Sequence, residues 1–298
     1  MTQPLLTGTW EVPRLWGGRY RLERLLGAGG MGAVYCARDL LQEQLGDPYA
    51  DVALKILNDE LAHAPDANAL LFNEFALMRQ VRHPNLVHLY SFGIDPEHDR
   101  GFIVMELMRG PTLDRVLCER PLGLPLHELQ EIGLPLLSVL AHAHQHGVLH
   151  GDIKPGNVLL SEQGVRLFDF GLGQSEAGQL QGLASLSRTR FNAWTPGYAA
   201  PELRHGGPLT RQAELYSVGC LLHELATGKP PFNPRIPTLS EYPPQRSPHK
   251  KPRHLPSQFW SALQTAIKQD PKQRTVSIEQ LSEALKPAKK RWCFKRGT

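Results

Sequence analysis

The amino-acid sequence predicts an α+β fold of two lobes, the first rich in β-strands and the second mostly helical. Up to about residue 105, short apolar runs alternate with turn residues, and only one segment has helical spacing. After Gly110 the apolar runs are longer and mostly helical. A chain of 298 residues with 41% hydrophobic and 21% charged residues can bury two cores and leave a cleft between them.

The first lobe follows residues 1–19, an extension with several Pro and Gly residues that we expect to pack loosely. A helix is predicted over residues 70–81, because its apolar residues recur at helical spacing and Pro84 follows. The polar stretch 42–51 is interpreted as an interruption between the predicted strands 33–37 and 52–57. Strands are predicted over 20–26, 33–37, 52–57, 86–92 and 102–105.

The second lobe has four predicted helices, the first of which contains Gly133 and Pro135 as interruptions. Nine of the 27 residues from 230 to 256 are Pro, so this stretch is interpreted as an extended surface excursion. The helices are predicted over 126–146, 215–226, 257–268 and 277–286.

The net charge of +4 is concentrated in two segments. Residues 286–298 carry six basic residues and no acid, and residues 230–256 carry five basic residues and one acid, so the remaining chain is acidic overall. Only the basic tail fits a nucleic-acid or membrane surface, and apart from Trp292 and Phe294 it lacks the aromatic residues that nucleic-acid binding favours. No nucleic-acid partner is therefore expected.

The cysteines and the termini favour a cytoplasmic protein. The four cysteines (Cys36, Cys118, Cys220 and Cys293) are far apart, so neither a disulfide framework nor a zinc site is expected. The N-terminus lacks the pattern of a signal peptide, and no apolar run reaches the ~18 residues of a membrane span.

A glycine-rich segment, Gly27-Ala-Gly-Gly-Met-Gly32, is followed by β-forming residues rather than by a helix. A dinucleotide-binding loop would lead into a helix. The segment is therefore predicted to be a strand–turn–strand flap, whose backbone N–H groups can approach phosphates without obstruction by Cβ atoms. A plain glycine-rich hairpin remains the alternative for this motif alone.

Five further motifs follow the flap in a fixed order. They are Val52-Ala-Leu-Lys55, Glu74 in the predicted helix, His150-Gly-Asp-Ile-Lys-Pro-Gly-Asn157, Asp169-Phe-Gly171 and Ala200-Pro-Glu202. With these motifs the chain resembles the eukaryotic-type (Hanks-type) Ser/Thr protein kinases from about Tyr20 to Lys286, and most closely the bacterial branch. The resemblance implies a bilobal kinase fold with an ATP cleft, an N-lobe and hinge over 20–108, a C-lobe over 109–286 and a basic tail over 287–298.

The resemblance also implies a role for each polar residue. Lys55, held by Glu74, would contact the α- and β-phosphates of ATP. Asp152 would accept or orient the proton of the substrate hydroxyl, Lys154 would neutralise the transferred phosphoryl group, and Thr195 would hydrogen-bond both. Asn157 and Asp169 would provide oxygen ligands to Mg²⁺, for which Mn²⁺ is a possible substitute.

The remaining nucleotide-binding residues surround the phosphates and the adenine ring by resemblance. Met105 corresponds to the gatekeeper, and Glu202 and Arg274 resemble an ion pair that supports the substrate lobe. The expected nucleotide contacts are Gly27, Ala28, Gly29, Gly30, Met31, Gly32, Ala33, Val34, Ala53, Glu106, Met108 and Leu159.

Two residues depart from the family pattern. Gly151 replaces the Arg that binds an activation-loop phosphate in most regulated kinases, so we expect activity that depends little on loop phosphorylation. Glu214 replaces an Asp that holds the catalytic loop; being one methylene longer, it is expected to keep this contact with a shift. The histidines at 142, 144 and 146 are interpreted as surface or capping residues rather than as a metal site.

The sequence thus predicts a cytoplasmic signalling Ser/Thr protein kinase that uses MgATP, phosphorylates protein substrates and autophosphorylates, with a protein phosphatase as its counterpart. Dimerisation is possible but has no support in the sequence. The alternatives are a non-catalytic kinase-fold scaffold and a small-molecule phosphotransferase. Lys55, Glu74, Asp152, Asn157 and Asp169 speak against the first alternative, and the segment from Thr195 to Glu202 speaks against the second.

Overall fold

The computed structural model describes residues 15–29, 32–59, 64–171, 173–175, 195–232 and 250–287. The chain divides into two compact units. The first comprises residues Met1–Phe75 and His88–Met108, and the second comprises residues Ala76–Val87 and Arg109–Thr298. The Pro-rich residues 233–249 and the tail from 288 onward lie outside the described residues.

The first unit contains a six-stranded antiparallel sheet with the strand order β1-β2-β3-β4-β6-β5. Leu54, Ile56 and Val104 of its central strands are buried in one apolar cluster. The strands are β1 (Leu15–Trp16), β2 (Tyr20–Gly29), β3 (Gly32–Asp39), β4 (Asp51–Leu57), β5 (Leu89–Asp95) and β6 (Arg100–Glu106).

Strand β1 shows that residues 15–19 do not pack loosely, contrary to the expectation from their Pro and Gly content. Trp16 pairs with Tyr20 across the strands and is only 2% exposed. Its ring stacks on His98 and meets Phe102 edge-on. The backbone N–H of Gly17 donates to Asp95 Oδ1 at 2.8 Å. Burial of the Trp16 ring and this hydrogen bond therefore hold residues 15–19 in place, although their sequence shows no strand periodicity.

Helix α1 (Leu40–Gln44) occupies part of the stretch that the sequence suggested was an interruption. Asp39 caps it by accepting hydrogen bonds from the backbone N–H groups of Leu41 and Gln42. Arg19 donates two further hydrogen bonds to the same carboxylate, each 2.7 Å long. Burial alone would raise the pKa of Asp39, but these donors hold it below its ordinary value.

Because its pKa is lowered on folding, ionised Asp39 stabilises the first unit above pH ~4 and loses this contribution as the pH falls. We expect Asp39→Asn to lower Tm at pH 7 and to weaken the fall of Tm between pH ~5 and ~2. Thermal unfolding across this range measures both effects. Asp47→Asn, on an exposed turn, is the control. Parallel Tm curves for wild type and Asp39→Asn would contradict this prediction.

Helix α2 (Ala67–Gln80) lies where a helix was predicted. The strand expected from residue 86 instead begins at Leu89, because Leu86 and Val87 have other partners. Leu86 forms an isolated β-bridge with Leu167, and the backbone N–H of Val87 donates to the carbonyl oxygen of Leu167 at 3.0 Å.

The second unit is mostly helical. Among the described residues, no helix has the length and apolarity needed to cross a membrane. The helices of the second unit are α3 (Leu113–Glu119), α4 (Leu126–Gln145), α5 (Pro201–Arg204), α6 (Arg211–Thr227), α7 (Ser257–Ala266) and α8 (Ile278–Leu285). It also has 3₁₀ turns at Pro155–Asn157 and Pro271–Gln273. Two small two-stranded sheets accompany them: β7 (Val148–Leu149) pairs with β10 (Gln174–Ser175), and β8 (Val158–Ser161) pairs with β9 (Gly164–Leu167) in a hairpin.

Helix α4 continues through Gly133 and Pro135, which the sequence suggested would interrupt it. An added Cβ at Gly133 would lie 2.7 Å from Leu285 Cδ2 and 3.0 Å from Leu222 Cδ2, so these leucine side chains would have to shift. The glycine thus permits close packing against α8 and α6. Burial of the apolar side chains around Pro135 offsets the ~3 kcal/mol that an internal proline costs.

Candidate active site

The glycine-rich flap is an antiparallel hairpin of β2 and β3, as the sequence predicts. Ala28 lies opposite Ala33, and Gly29 lies opposite Gly32. Gly30 and Met31 lie outside the described residues. The glycines lead directly into strand β3 rather than into a helix, which excludes a dinucleotide-binding loop at this position.

Lys55 and Glu74 form a buried ion pair in the first unit. Nζ of Lys55, on β4, lies 2.7 Å from both carboxylate oxygens of Glu74, on α2. The two side chains are 7% and 5% exposed. A buried pair is held firmly, since removing one partner leaves an uncompensated charge. The pair therefore keeps the ammonium group of Lys55 at a fixed position.

The residues expected around an adenine ring divide between the two units. Ala53 is buried on β4 opposite Met105, and Val34 lies opposite Lys55. The end of β6 is fixed by Glu106, whose backbone N–H donates to His88 O at 2.9 Å and whose carboxylate accepts from His88 N at 2.8 Å. Met108, in the first unit, is half-buried, as is Leu159 on β8 in the second.

The second unit brings four of the expected catalytic residues together around the carboxylate of Asp152. Oδ1 accepts a hydrogen bond from the Thr195 hydroxyl at 3.0 Å. Oδ2 accepts from Lys154 Nζ at 2.5 Å and from Asn157 Nδ2 at 3.2 Å. Lys154 Nζ also lies 3.3 Å from the Thr195 hydroxyl. Three donors thus fix one carboxylate next to one cation.

His150 connects this loop to the segment that leads to Asp169. Its Nδ1 accepts from the backbone N–H of Asp152 at 3.2 Å, so the neutral ring carries its proton on Nε2 and donates to Phe168 O at 3.0 Å. Complete burial lowers the pKa of His150 below its ordinary value, which keeps the ring neutral. The ring also packs against Phe170, with centroids 4.3 Å apart. His150 therefore has a structural role.

The hairpin of β8 and β9 positions the two expected metal ligands. Val158 pairs with Leu167, so Asn157 and Asp169 flank the same end of the hairpin. The Asn157 amide nitrogen donates to the carbonyl of Asp152 at 2.8 Å, which leaves the amide oxygen as the atom available to a ligand. Asp169 has a φ of +68°, a strained conformation that is typical of functional sites. These oxygen donors fit a hard divalent cation.

Glu214 keeps the expected contact with the catalytic loop. Its Oε1 accepts from the backbone N–H of Gly151 at 2.6 Å. Its second partner, which was not expected from the sequence, is His144, whose Nε2 lies 2.6 Å from Oε2. Burial alone would raise the pKa of Glu214, but the hydrogen bonds from His144 and Gly151 hold it below the ordinary value. His144 belongs to a run of histidines in the sequence, and only its burial on α4 separates it from the others.

Two further pairs support the segment from Thr195 to Glu202. The Tyr198 hydroxyl donates to the carboxylate of Glu224, and burial raises the pKa of both groups. Arg274 binds both carboxylate oxygens of Glu202 at 2.6 and 2.8 Å, as the resemblance implies. Arg274 also lies over the ring of Tyr216. These contacts join the segment to α6 and to the C-terminal helices.

The remaining histidines of α4 do not form a metal site. His146 caps the helix, and its ring lies 4.3 Å from that of His142. Within the residues that the structure describes, no group of three His, Cys, Asp or Glu side chains is arranged to hold a metal ion. His146 is exposed and caps the helix, as interpreted, whereas His144 is only 5% exposed, so its interpretation as a surface or capping residue was wrong.

The family of the chain follows from a comparison of its sequence with known protein families. The model of the protein kinase domain matches residues 20–285. The chain belongs to the protein kinase family. The kinase match begins at Tyr20, so strand β1 and the buried Trp16 lie outside it.

Bacterial Ser/Thr kinases are among the similar proteins, which confirms the resemblance. The kinase is 32% identical over 285 residues to the serine/threonine-protein kinase PkaA of Streptomyces coelicolor, covering 91% of this chain and 50% of PkaA. It is 33% identical over 221 residues to PrkC of Bacillus subtilis, covering 72% of this chain and 31% of PrkC. The chain thus spans half the length of these relatives or less.

The fold of the kinase is also that of a solved bacterial structure. The kinase domain of PknI from Mycobacterium tuberculosis matches with a TM-score of 0.67 and 26% identity, covering 92% of this chain and 97% of that one. The bilobal α+β kinase fold is therefore confirmed. Members of the protein kinase family use ATP and a divalent metal.

Proposed function

We propose that this chain is an active Ser/Thr protein kinase that transfers the γ-phosphoryl group of MgATP to Ser or Thr hydroxyls of proteins. The observation that carries the proposal is the cluster around Asp152, whose carboxylate is held by Thr195, Lys154 and Asn157. Phosphoryl transfer requires mainly positioning and charge neutralisation, and this cluster provides a fixed carboxylate beside a fixed cation.

In this reaction, Lys55 binds the α- and β-phosphates of ATP. Its ion pair with Glu74 supports this role, because a cation already held in place loses little further freedom when it binds phosphate. The flap residues of 27–34 provide backbone N–H groups to the phosphates. Adenine is held by apolar contacts with Val34, Ala53 and Leu159 and by the backbone of Glu106 and Met108.

Asp152 orients the acceptor hydroxyl and receives its proton as the oxygen attacks phosphorus. Two hydrogen bonds at Oδ2 and one at Oδ1 hold the carboxylate in one orientation, and this supports its role. Lys154, 2.5 Å from Asp152, neutralises charge on the migrating phosphoryl group. Thr195 bridges the two side chains. Lys154 and Thr195 resemble the Ser/Thr class of the family rather than the Tyr class, and we therefore assign Ser and Thr as acceptors.

Asn157 and Asp169 hold the divalent cation, which we propose is Mg²⁺, with Mn²⁺ as a substitute. When bound, the cation shields the negative charge of the phosphates. The chemistry of the donors supports this assignment, since one carboxylate and one amide oxygen leave coordination positions for phosphate oxygens and water.

We further propose that the kinase acts in the cytoplasm in signalling, autophosphorylates and is opposed by a protein phosphatase. The residues that we expect it to autophosphorylate lie between Asp169-Phe-Gly171 and Thr195, outside the described residues, and are Ser185, Ser187 and Thr189. Activity depends little on their phosphorylation, because Gly151 has no side chain to bind a loop phosphate.

The test is transfer from ATP labelled at the γ-phosphate to the kinase itself and to a generic basic protein. We expect labelling by wild type and an at least 100-fold lower rate for Lys55→Ala, because a pre-positioned charge at the phosphates is lost. Labelling of free alcohols or sugars without labelling of protein would instead favour a small-molecule phosphotransferase. No labelling at all would favour a scaffold.

Two controls separate catalysis from stability. Lys55→Ala removes the cation of a buried ion pair and keeps the anion, so the Lys55→Met/Glu74→Gln double variant removes both charges at once. It is expected to be equally inactive while unfolding closer to the wild-type temperature. Lys286→Ala changes a lysine whose side chain is 54% exposed and is expected to retain wild-type activity.

A further inference from the structure

Three histidine rings form a row on the surface of the second unit. On α4, Ser138, His142 and His146 are spaced four residues apart and so share one helix face. The ring centroid of His142 lies 4.3 Å from that of His146 and 5.4 Å from that of His83. His83 belongs to the turn after α2, and its Nε2 lies 3.1 Å from the Ser138 hydroxyl. The row therefore joins this turn to α4.

The hydrogen bonds of His83 require a neutral ring. Its Nδ1 accepts from the backbone N–H of Asn85 at 3.1 Å, so the ring proton lies on Nε2 and is donated to the Ser138 hydroxyl. A protonated ring carries a proton on both nitrogens and cannot accept from Asn85. Burial and the neighbouring His142 lower the pKa of His83, which agrees with the neutral form. Protonation of His83 therefore breaks a hydrogen bond that holds the turn.

The turn that His83 supports is attached to strand β9. The side-chain amide of Asn85 donates to Val165 O at 2.9 Å, and the backbone carbonyl of Asn85 accepts from Leu167 N at 2.8 Å. Strand β9 ends at Leu167, two residues before Asp169, the proposed cation ligand. The hydrogen bonds of this turn therefore help to position the segment that carries Asp169.

No acid balances a positive charge on the row. The elements around His83 carry further titratable groups, namely Arg79 and Arg82 at the end of α2, Arg166 on β9 and His144 on α4. His144 is paired with Glu214 across α4 and α6. Within the described ranges, the histidines in ion pairs are His144 and His98, neither of which belongs to the row. Protons added to the three rings therefore repel one another.

We propose that the row of His83, His142 and His146 is a pH-sensitive switch, which loosens β9 and slows phosphoryl transfer when the row is protonated between about pH 7 and pH 5. The inference rests on the proposed kinase function, since β9 leads to Asp169. His83 is a positioning residue, because it acts through the turn and β9.

The order of protonation follows from the hydrogen bonds. His146 donates from Nδ1 to His142 O at 2.9 Å, so a proton added at its Nε2 breaks no hydrogen bond. A positive charge is also favoured there, because His146 lies at the C-terminal end of α4. Charge on the two helix residues then opposes protonation of His83, the one step that breaks a hydrogen bond of the turn.

The sign of the effect on stability follows from the neutral ring. Because folding lowers the pKa of His83, the unfolded chain binds this proton more readily than the folded chain. The contribution of His83 to stability is therefore complete above its ordinary pKa of about 6.5 and is lost as the pH falls through the lowered pKa.

The first experiment compares wild type with His83→Asn, whose side-chain oxygen can accept from Asn85 N but does not titrate. Between pH 7.5 and pH 5, we expect the Tm of wild type to fall by at least about 2 °C more than that of His83→Asn. At pH 5.5, the Leu167 amide, corrected for its intrinsic rate, is expected to exchange at least about 5-fold faster in wild type. Equal pH dependence of Tm and of exchange in the two proteins would overturn the proposal.

Two further variants test whether the rings act together. The NMR titration midpoint of the His83 ring is expected to rise in His142→Gln, because a repelling charge is lost. An unchanged midpoint would contradict the coupled row. His127→Gln removes an exposed histidine from the first turn of the same helix and is expected to behave as wild type throughout. If it reproduced the effects of His83→Asn, the switch would not belong to the row.

The pH profile of kcat connects the switch to the proposed activity. From pH 7.5 to pH 5.5, we expect kcat of wild type to fall at least about 3-fold more than kcat of His83→Asn. Equal profiles in an active kinase would reject the switch. The expected differences in Tm and exchange, in a chain that transfers no phosphate, would instead support the titrating row and reject the kinase function alone.

Discussion

Replacing Asp152 by asparagine is expected to lower kcat for phosphoryl transfer about 10²- to 10⁴-fold, the range that a positioned general base contributes. Asparagine has nearly the same shape, and its oxygen can still accept the hydrogen bond from Thr195. What is lost is the negative charge beside Lys154 and the ability to take a proton. KM for ATP is expected to change less than about 3-fold, because the proposed role of Asp152 is toward the acceptor hydroxyl and not toward ATP.

The control for this variant is Asp114→Asn, in the exposed first turn of α3, which changes the net charge equally. Initial rates with a protein substrate, together with the unfolding temperature of each variant, make the comparison. Equal rates for wild type and Asp152→Asn would remove Asp152 from the catalytic machinery. A proportional loss in both asparagine variants would indicate a general effect of charge.

Replacing Trp16 by alanine is expected to destabilise the first unit by about 3–5 kcal/mol, the usual cost of deleting a buried aromatic side chain. Trp16 is 2% exposed and packs against Phe102 and His98. Its Nε1 is one of two buried side-chain nitrogens without a hydrogen-bond partner in the described part of the chain. Trp16→Phe removes this unsatisfied donor and keeps an aromatic ring, so it is expected to cost less than Trp16→Ala.

Urea unfolding measures these differences, with Leu15→Ala as the matched control. Leu15 lies on the same strand but is 43% exposed, and its truncation is expected to change the free energy of unfolding by less than about 0.5 kcal/mol. Similar values for Trp16→Ala and Leu15→Ala would show that β1 contributes nothing to the unit.

The contrast between β1 and the rest of the sheet shows which features a sequence pattern can predict. Strands β2, β3 and β4 were predicted because apolar residues and turns recur along several positions. A strand of two residues has no period, and Trp16 is held by partners about 80 positions away. Helix α1 was missed for a related reason, since its stability depends on a cap, Asp39, that Arg19 also holds.

At the site, the resemblance predicted that Thr195 hydrogen-bonds Asp152 and Lys154, but it did not predict the hydrogen bonds from Lys154 and Asn157 to the carboxylate of Asp152. The ion pair of Lys55 with Glu74 was expected on the same ground. The partner of Glu214 was not, because His144 belongs to a run of histidines in which each residue looks alike in the sequence. Only the packing of α4 against α6 distinguishes His144 from its exposed neighbour His146.

The ion pair of Arg274 with Glu202 has a consequence for how the chain is made. The two residues are 72 positions apart, so at ~5–20 residues per second Glu202 is synthesised about 4–14 s before its partner. Arg274 also binds the backbone carbonyls of Gln212 and Lys268. The segment from Thr195 to Glu202 therefore lacks this support until Arg274 has been synthesised, and during that time Glu202 has no counter-charge from Arg274.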